Sequence, residues 1–416
     1  MLLSWFTEQP MSAYPEHEAL RLHADDHPAR RTGDTVLLFS NRHFDPVAGS
    51  RLYRERIAEF AYAEEVGFDA VMVNEHHYGA FCMNARCNIM TAALVMATQR
   101  VKVLQLGNPL PLWANPVLLA EEIAMLDMIS GGRLVSGIVR GGGQEQLAMN
   151  VTPAYNREMF DEAHDLLIRI WTEPGPWSWD GEHYQIRVVN PWALPLQQPH
   201  PRIYVPGVVS KETVVWAAEH GYPYVALGTT IPQTQQIWSL YDATARDMGY
   251  EPGSEHRGYL LRCHVAADHD RALRNAREYS WMRGEFTGVG NPIWAAPAGY
   301  SSWESRKARL RHTATTHDPV EDQIARGTIV AGTPDEVVPA LERVLEELRP
   351  GTLVLWGADG HVGHDDTVEC IRLMGEQVLP ALRAKGAELG LRDPFEADAP
   401  VGVGRPSVTM ATAPVG

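Results

Sequence analysis

The chain is poor in cysteine, with four in 416 residues (Cys82, Cys87, Cys263, Cys370). That is too few for a disulfide framework, and no second pair stands at zinc-site spacing. Clustered positive charge is also missing: 36 basic residues face 52 acidic ones, a net charge of −16. This argues against a nucleic-acid partner, because phosphate backbones are bound by concentrated Lys and Arg. No apolar run approaches the roughly 20 residues of a membrane span. The apolar start Met1-Leu2-Leu3-Ser4-Trp5-Phe6 lacks a basic flank and meets Glu8 almost at once, a poor secretory signal. These features lead us to expect a reduced, cytoplasmic protein with no membrane partner.

With 45% hydrophobic and 21% charged residues, the chain is neither disordered nor fibrous. It is long enough for two average domains or one large α/β barrel. Apolar, β-branched runs at 2–7, 70–75, 101–107, 133–139, 202–206, 222–227, 259–265 and 352–357 predict strands buried on both faces. Helical patterns separate them. Phe160, Ala163, Leu167, Ile170 and Trp171 recur at three- and four-residue spacing, and Thr333-Pro334-Asp335-Glu336 is a capping box. Eight such units predict a single (β/α)₈ TIM barrel over 1–396, with residues 397–416 as a disordered tail. The excess length falls in insertions at about 8–50, 172–201 and 277–327, expected at the C-terminal face of the strands. The last is rich in aromatics, including Trp281 and Trp294, which with Trp113 are candidate walls of an apolar pocket or a lid over it. The same aromatics could equally cap exposed helix surfaces.

The densest chemical signal is Asn74-Glu75-His76-His77-Tyr78-Gly79, directly after the second predicted strand. In a barrel this is the catalytic mouth. A histidine there shuttles a proton near neutral pH, and a carboxylate fixes its tautomer. A hydrogen-bonded structural pair fits the same residues. After the third strand, Gly107-Asn108 lets the main chain approach a flat ligand, or makes an ordinary turn. Val139-Arg140-Gly141-Gly142-Gly143 joins one arginine to exposed backbone N–H groups, a plausible anion cradle. It is neither a Walker loop nor a dinucleotide fingerprint. Ser210-Lys211-Glu212-Thr213 opens a helix; its hydroxyls fit a phosphate site or simple capping. Together with Arg140 and Arg157 it could neutralise one phosphate monoester. His361 and His364 lack a third ligand at metal spacing and are read as a loop near the pocket.

Four stretches together resemble the bacterial-luciferase-like, flavin-dependent monooxygenase family: 63–69 leading to Glu75-His76-His77; Asn115-Pro116 through Ser130-Gly131-Gly132-Arg133; Gly137 to Gly141; and Gly332-Thr333-Pro334. The resemblance implies reduced FMN at the barrel mouth. Arg140, Arg157, Ser210 and Thr213 would hold its phosphate, Gly107, Asn108 and Val139 would adjoin the ring, and Glu75, His76 and His77 would form the catalytic group. It further implies O₂ as co-substrate and a C4a-(hydro)peroxyflavin that oxygenates a small apolar organic substrate, by hydroxylation or Baeyer–Villiger chemistry. The lack of a NAD fingerprint points to a separate NAD(P)H:flavin reductase, and a homodimer is expected. Val139 and Val209 replace the thiol and carboxylate of light-emitting relatives, a departure that argues against light emission from a long-chain aldehyde. Two rivals are a deazaflavin-dependent hydride transferase on the same fold and a non-catalytic flavin-binding protein. The first would favour basic residues along the mouth, and none cluster there.

Overall fold

A computed structural model describes residues 1–15, 40–279, 299–300, 302–305, 307 and 318–397. The strands are β1 (Leu2–Phe6), β2 (Ala70–Val73), β3 (Lys102–Gln105), β4 (Asn108–Pro109), β5 (Leu134–Val139), β6 (Trp177–Asp180), β7 (Gln185–Val189), β8 (Arg202–Gly207), β9 (Tyr224–Leu227), β10 (Arg257–Val265), β11 (Ile329–Gly332) and β12 (Thr352–Trp356). Parallel pairing runs β1-β2-β3-β5-β8-β9-β10-β12 and returns to β1, closing an eight-stranded barrel. Helices follow the strands on the outside, so this is a (β/α)₈ barrel. All eight predicted strands are barrel members. The short β4 pairs with β5, and β11 pairs with the last residues of β10; neither was foreseen.

Strand side chains alternate between two apolar layers, as the pleat demands. In β1, Leu2 and Phe6 point into the barrel with Met72, Leu104 and Leu260, while Leu3 and Trp5 pack outward against the helices. Both faces are buried, which is why these strands read as unbroken apolar runs.

Several sequence motifs prove to be braces of this barrel. Glu64, near the end of the helix Pro46–Glu65, accepts backbone N–H groups of Gln99, Arg100 and Val101 at 2.6–3.0 Å, fixing the entry to β3. Arg133 spans to the carbonyls of Val95, Thr98 and Val101 at 2.9–3.1 Å. Gly131, at φ 64°, ends the helix Pro116–Ser130 in the left-handed conformation that Gly adopts without strain.

The insertion at 172–201 departs from expectation in its place. It leads from a helix into β8, and its Gln197 donates to Leu134 O at the start of β5 and to Asp127. Its Gln197 end therefore covers the N-terminal end of the barrel, while its antiparallel β6–β7 ribbon runs along the outside of the helix Asn156–Thr172, pinned by Glu162 through Trp179 Nε1 and the Tyr184 N–H. Most of 8–50 and 277–327, with Trp281 and Trp294, and nearly all of the tail lie outside the described residues.

Glu64→Ala should remove the acceptor of three N–H groups, of which that of Val101 is buried. We expect a loss of about 1–3 kcal/mol in unfolding free energy, measured by urea denaturation, with no new ligand phenotype.

Candidate active site

The C-terminal ends of the strands enclose a cavity of about 460 Å³. Glu8 follows β1; Asn74, Glu75 and His76 follow β2; Val139 ends β5, and Arg140 and Gly141 follow it; Ser210 follows β8; Arg262 comes from β10 and Trp356 from β12. Of the residues singled out from sequence, Glu75, His76, Gly107, Val139, Arg140, Arg157, Ser210 and Thr213 all line it. Three others do not. His77 turns aside to pair its Nε2 with Glu75 Oε1 at 3.2 Å. Asn108 is fully buried, donating to Asn88 and Gln105 behind the wall. Trp113 is corrected from a pocket wall to a core residue: the turn Leu110–Leu112 folds it inward, with the Arg86 guanidinium 4.6 Å above its ring.

One end of the cavity is cationic. Arg140 donates to Asn156 Oδ1 and Tyr300 O, both at 3.0 Å, and its guanidinium lies over the Tyr300 ring. Burial, followed by repulsion from Arg140, lowers the pKa of Arg157. Neither arginine has a carboxylate within ion-pair distance among the described residues. Beside them, Thr213 donates to Ser210 Oγ at 3.1 Å, and Ser210 and Ser305 donate to Glu212 at 2.9 and 2.7 Å. Burial opposes charge on Glu212, yet hydroxyl and amide donors outweigh it and hold its pKa down to about 2. At Gly107, φ +150°, a Cβ would lie 2.6 Å from Val139 Cγ1, so the wall between β4 and β5 admits no side chain there.

The other end is a histidine between acids. His76 Nδ1 lies 3.1 Å from Glu145 Oε1, and Nε2 lies 3.9 Å from Glu8 Oε2. Glu145 also accepts the backbone N–H groups of His77 and Gly142, at 2.9 and 3.1 Å. Glu75 is held in turn by Arg86 at 3.2 Å and the Cys87 N–H at 3.0 Å. Burial alone would discharge His76, but the Glu145 charge and hydrogen bond, with Glu8 and Glu75 behind them, raise its pKa to about 9. Glu8 is raised to about 7, mainly by burial, against the pull of His76 and Arg262. Sequence reasoning missed Glu8, Glu145 and Arg262. Two signals were available: Glu145 stands three residues after Gly142, at capping-box spacing, and Arg262 is a charge within an apolar strand.

The sign of the pH effect follows. Glu8 and His76 both bind protons more tightly when folded, so each contributes stability that is lost as pH rises, Glu8 from about 4.5 through 7 and His76 from about 6.5 through 9. Melting temperature should therefore fall between pH 6.5 and 9, and His76→Gln should flatten that slope in a calorimetric pH series.

Comparison with known proteins adds the family. Residues 35–350 match the model of the luciferase-like monooxygenases. The alkanal monooxygenase alpha chain of Photorhabdus luminescens is 31% identical over 210 residues, half of this chain and 57% of the relative, so the match spans little more than half of that protein. A protein named F420-dependent glucose-6-phosphate dehydrogenase, from Amycolatopsis mediterranei, is 24% identical over 79% of this chain and 95% of its own. Among solved structures, the oxygenating constituent of 3,6-diketocamphane monooxygenase from Pseudomonas putida, a type II Baeyer–Villiger enzyme in complex with FMN, superposes with a TM-score of 0.64 at 19% identity, over 80% of this chain and 93% of that one. With its family model matched across most of the barrel, the chain belongs to the luciferase-like monooxygenase family.

Proposed function

We propose that the protein is a flavin-dependent monooxygenase that takes reduced FMN into this cavity, with Arg140, Arg157, Ser210 and Thr213 holding the phosphate. The observation that carries this reading is the pair of mutually repelling arginines at one end of the cavity, with no ion-paired carboxylate among the described residues. A phosphate dianion would relieve that repulsion with charge-assisted hydrogen bonds. The Gly107–Val139 wall suits a flat ring, since no Cβ intervenes. Reduced FMN, when bound, supplies the electrons that activate O₂ for oxygen insertion.

The chain's own groups do the rest. Glu145, acceptor-only when ionised, keeps a proton on His76 Nδ1 and leaves Nε2 to exchange one with the reacting centre. Phe81, Leu106, Leu260 and Trp356 line the same end and exclude water. Their apolar surface favours a small apolar organic substrate, oxygenated by hydroxylation or Baeyer–Villiger insertion. A separate NAD(P)H:flavin reductase would deliver the cofactor in the cytoplasm. A homodimer is supported by exposed apolar side chains on the adjacent helices Cys87–Ala97 and Pro116–Ser130, among them Ile89, Met96, Leu118, Met125 and Ile129. The F420-dependent relative supports a second reading of the same cavity, hydride transfer with a deazaflavin.

Arg140→Ala should weaken FMN binding by about 10-fold or more, equivalent to 1.5–3 kcal/mol, while riboflavin binding changes little; fluorescence titration with both ligands decides this, and equal losses would remove Arg140 from the phosphate site. His76→Ala should retain FMN affinity but lose about 10²–10⁴ in product formed, with H₂O₂ released instead. Protein that consumes a reduced deazaflavin but forms no oxygenated product from reduced FMN and O₂ would establish the hydride-transfer reading.

A further inference from the structure

We propose that Glu8, at the end of β1, shares a proton with His76 Nε2 and sets the charge state of that histidine. Glu8 would thus be a positioning residue that acts through His76. On the opposite edge of the ring Glu145 is held by three donors: Oε1 accepts from His76 Nδ1 and the His77 N–H, and Oε2 accepts from the Gly142 N–H. Its pKa is lowered, because the His76 charge and these donors outweigh burial, so it stays an acceptor. The proton on Nδ1 is therefore fixed, and exchange falls to Nε2.

Glu8 Oε2 faces Nε2 at 3.9 Å, within ion-pair reach. Glu8 is buried, lines the same cavity, and receives a hydrogen bond from Asn74 Nδ2. The charged groups around it come from separate elements. Arg262, from β10, is the nearby cation, its guanidinium 4.5 Å above the Trp356 ring. Asp359, after β12, is buried near Glu8; burial and then the Glu8 charge push its pKa well up. Glu145 also acts on Glu8 by repulsion, and Cys82, whose thiol is driven up by burial and Glu8, stays neutral beside it.

The exchange is a single proton transfer. The O–H bond of the Glu8 carboxyl breaks as an N–H bond forms at Nε2, leaving a carboxylate beside an imidazolium, with Arg262 and Asn74 stabilising the new negative charge. The reverse step returns the proton. One carboxyl thus reloads the histidine without opening the cavity to water.

The use of this proton in oxygenation rests on the monooxygenase reading; the coupling of Glu8 to His76 does not, so the test reads the coupling in protein without cofactor. Histidine-ring ¹⁵N NMR is followed from pH 5 to 10, with His76→Asn to assign the signal. The wild-type His76 signal should titrate in two steps, the lower one following Glu8. Glu8→Gln should abolish the lower step and move the His76 midpoint down by about one pH unit. Asp359→Asn should keep both steps. A single-step wild-type titration overturns the proposal even where Glu8→Gln does not fold, as does an unmoved midpoint in folded Glu8→Gln. In the second arm, the pH profile of product formation from reduced FMN and O₂ should lose its Glu8 limb in Glu8→Gln. An enzyme that gives no oxygenated product while keeping the two-step titration overturns the monooxygenase reading and leaves the proton pair standing.

Discussion

The Glu145 carboxylate ties together two loops that share no strand pairing of their own. It sits on the short helix Gly143–Ala148 after β5 and reaches back to the segment after β2, where it binds His76 and the His77 main chain; its other oxygen holds Gly142. One buried side chain thus fixes the histidine's tautomer, the path of the loop carrying it, and the start of the helix that presents the carboxylate. Burying a lone carboxylate is expensive, and each of these donors offsets part of that cost. The arrangement is self-consistent only when all three contacts form together. That makes the acidic end of the cavity a rigid unit instead of a set of independent residues.

The barrel was legible in the sequence because its physics is local. A strand buried on both faces must be an apolar run, and the eight runs fall where the eight barrel strands lie. The residues that line the cationic end were legible for a similar reason, since Arg140 and Ser210 stand directly after strand ends, where barrel geometry exposes them. The acidic end was less so. Glu8 looks like a charge that merely ends an apolar start, and Arg262 like a surface residue of β10; only closure of the sheet brings Arg262 to Glu8 and Glu8 to the histidine. Trp113 illustrates the opposite error. An aromatic after Gly-Asn-Pro reads as a pocket wall, but the turn at Leu110–Leu112 reverses the chain and buries it. Composition reports that an aromatic is available, and only backbone direction decides which side of the wall it occupies.

The motifs that carry the family likeness divide in two by physical role. Glu64, Gly131 and Arg133 hold strand entries and helix ends at the N-terminal end of the barrel and never approach the cavity. Glu75, His76 and Arg140 stand at the opposite mouth. Likeness in the first group speaks for the scaffold and is silent about chemistry. Likeness in the second bears on function, because those residues line the cavity.

Charge explains why those residues matter. An acidic protein repels a phosphate-bearing ligand at long range, so the local field of Arg140 and Arg157 has to overcome both that repulsion and the neighbouring Glu212. Glu212 is held ionised by the very hydroxyls, Ser210 and Ser305, that a phosphate would also seek. An anion entering here must therefore compete for donors with a resident carboxylate, which penalises weak anions more than a dianion able to engage both arginines. At the far end the field reverses: His76 lies among Glu8, Glu75 and Glu145. A ligand spanning the cavity would thus place its anionic group among cations and its reacting part beside a positively charged histidine compensated by acids. Those two opposed fields in one enclosure orient a ligand before any hydrogen bond is made.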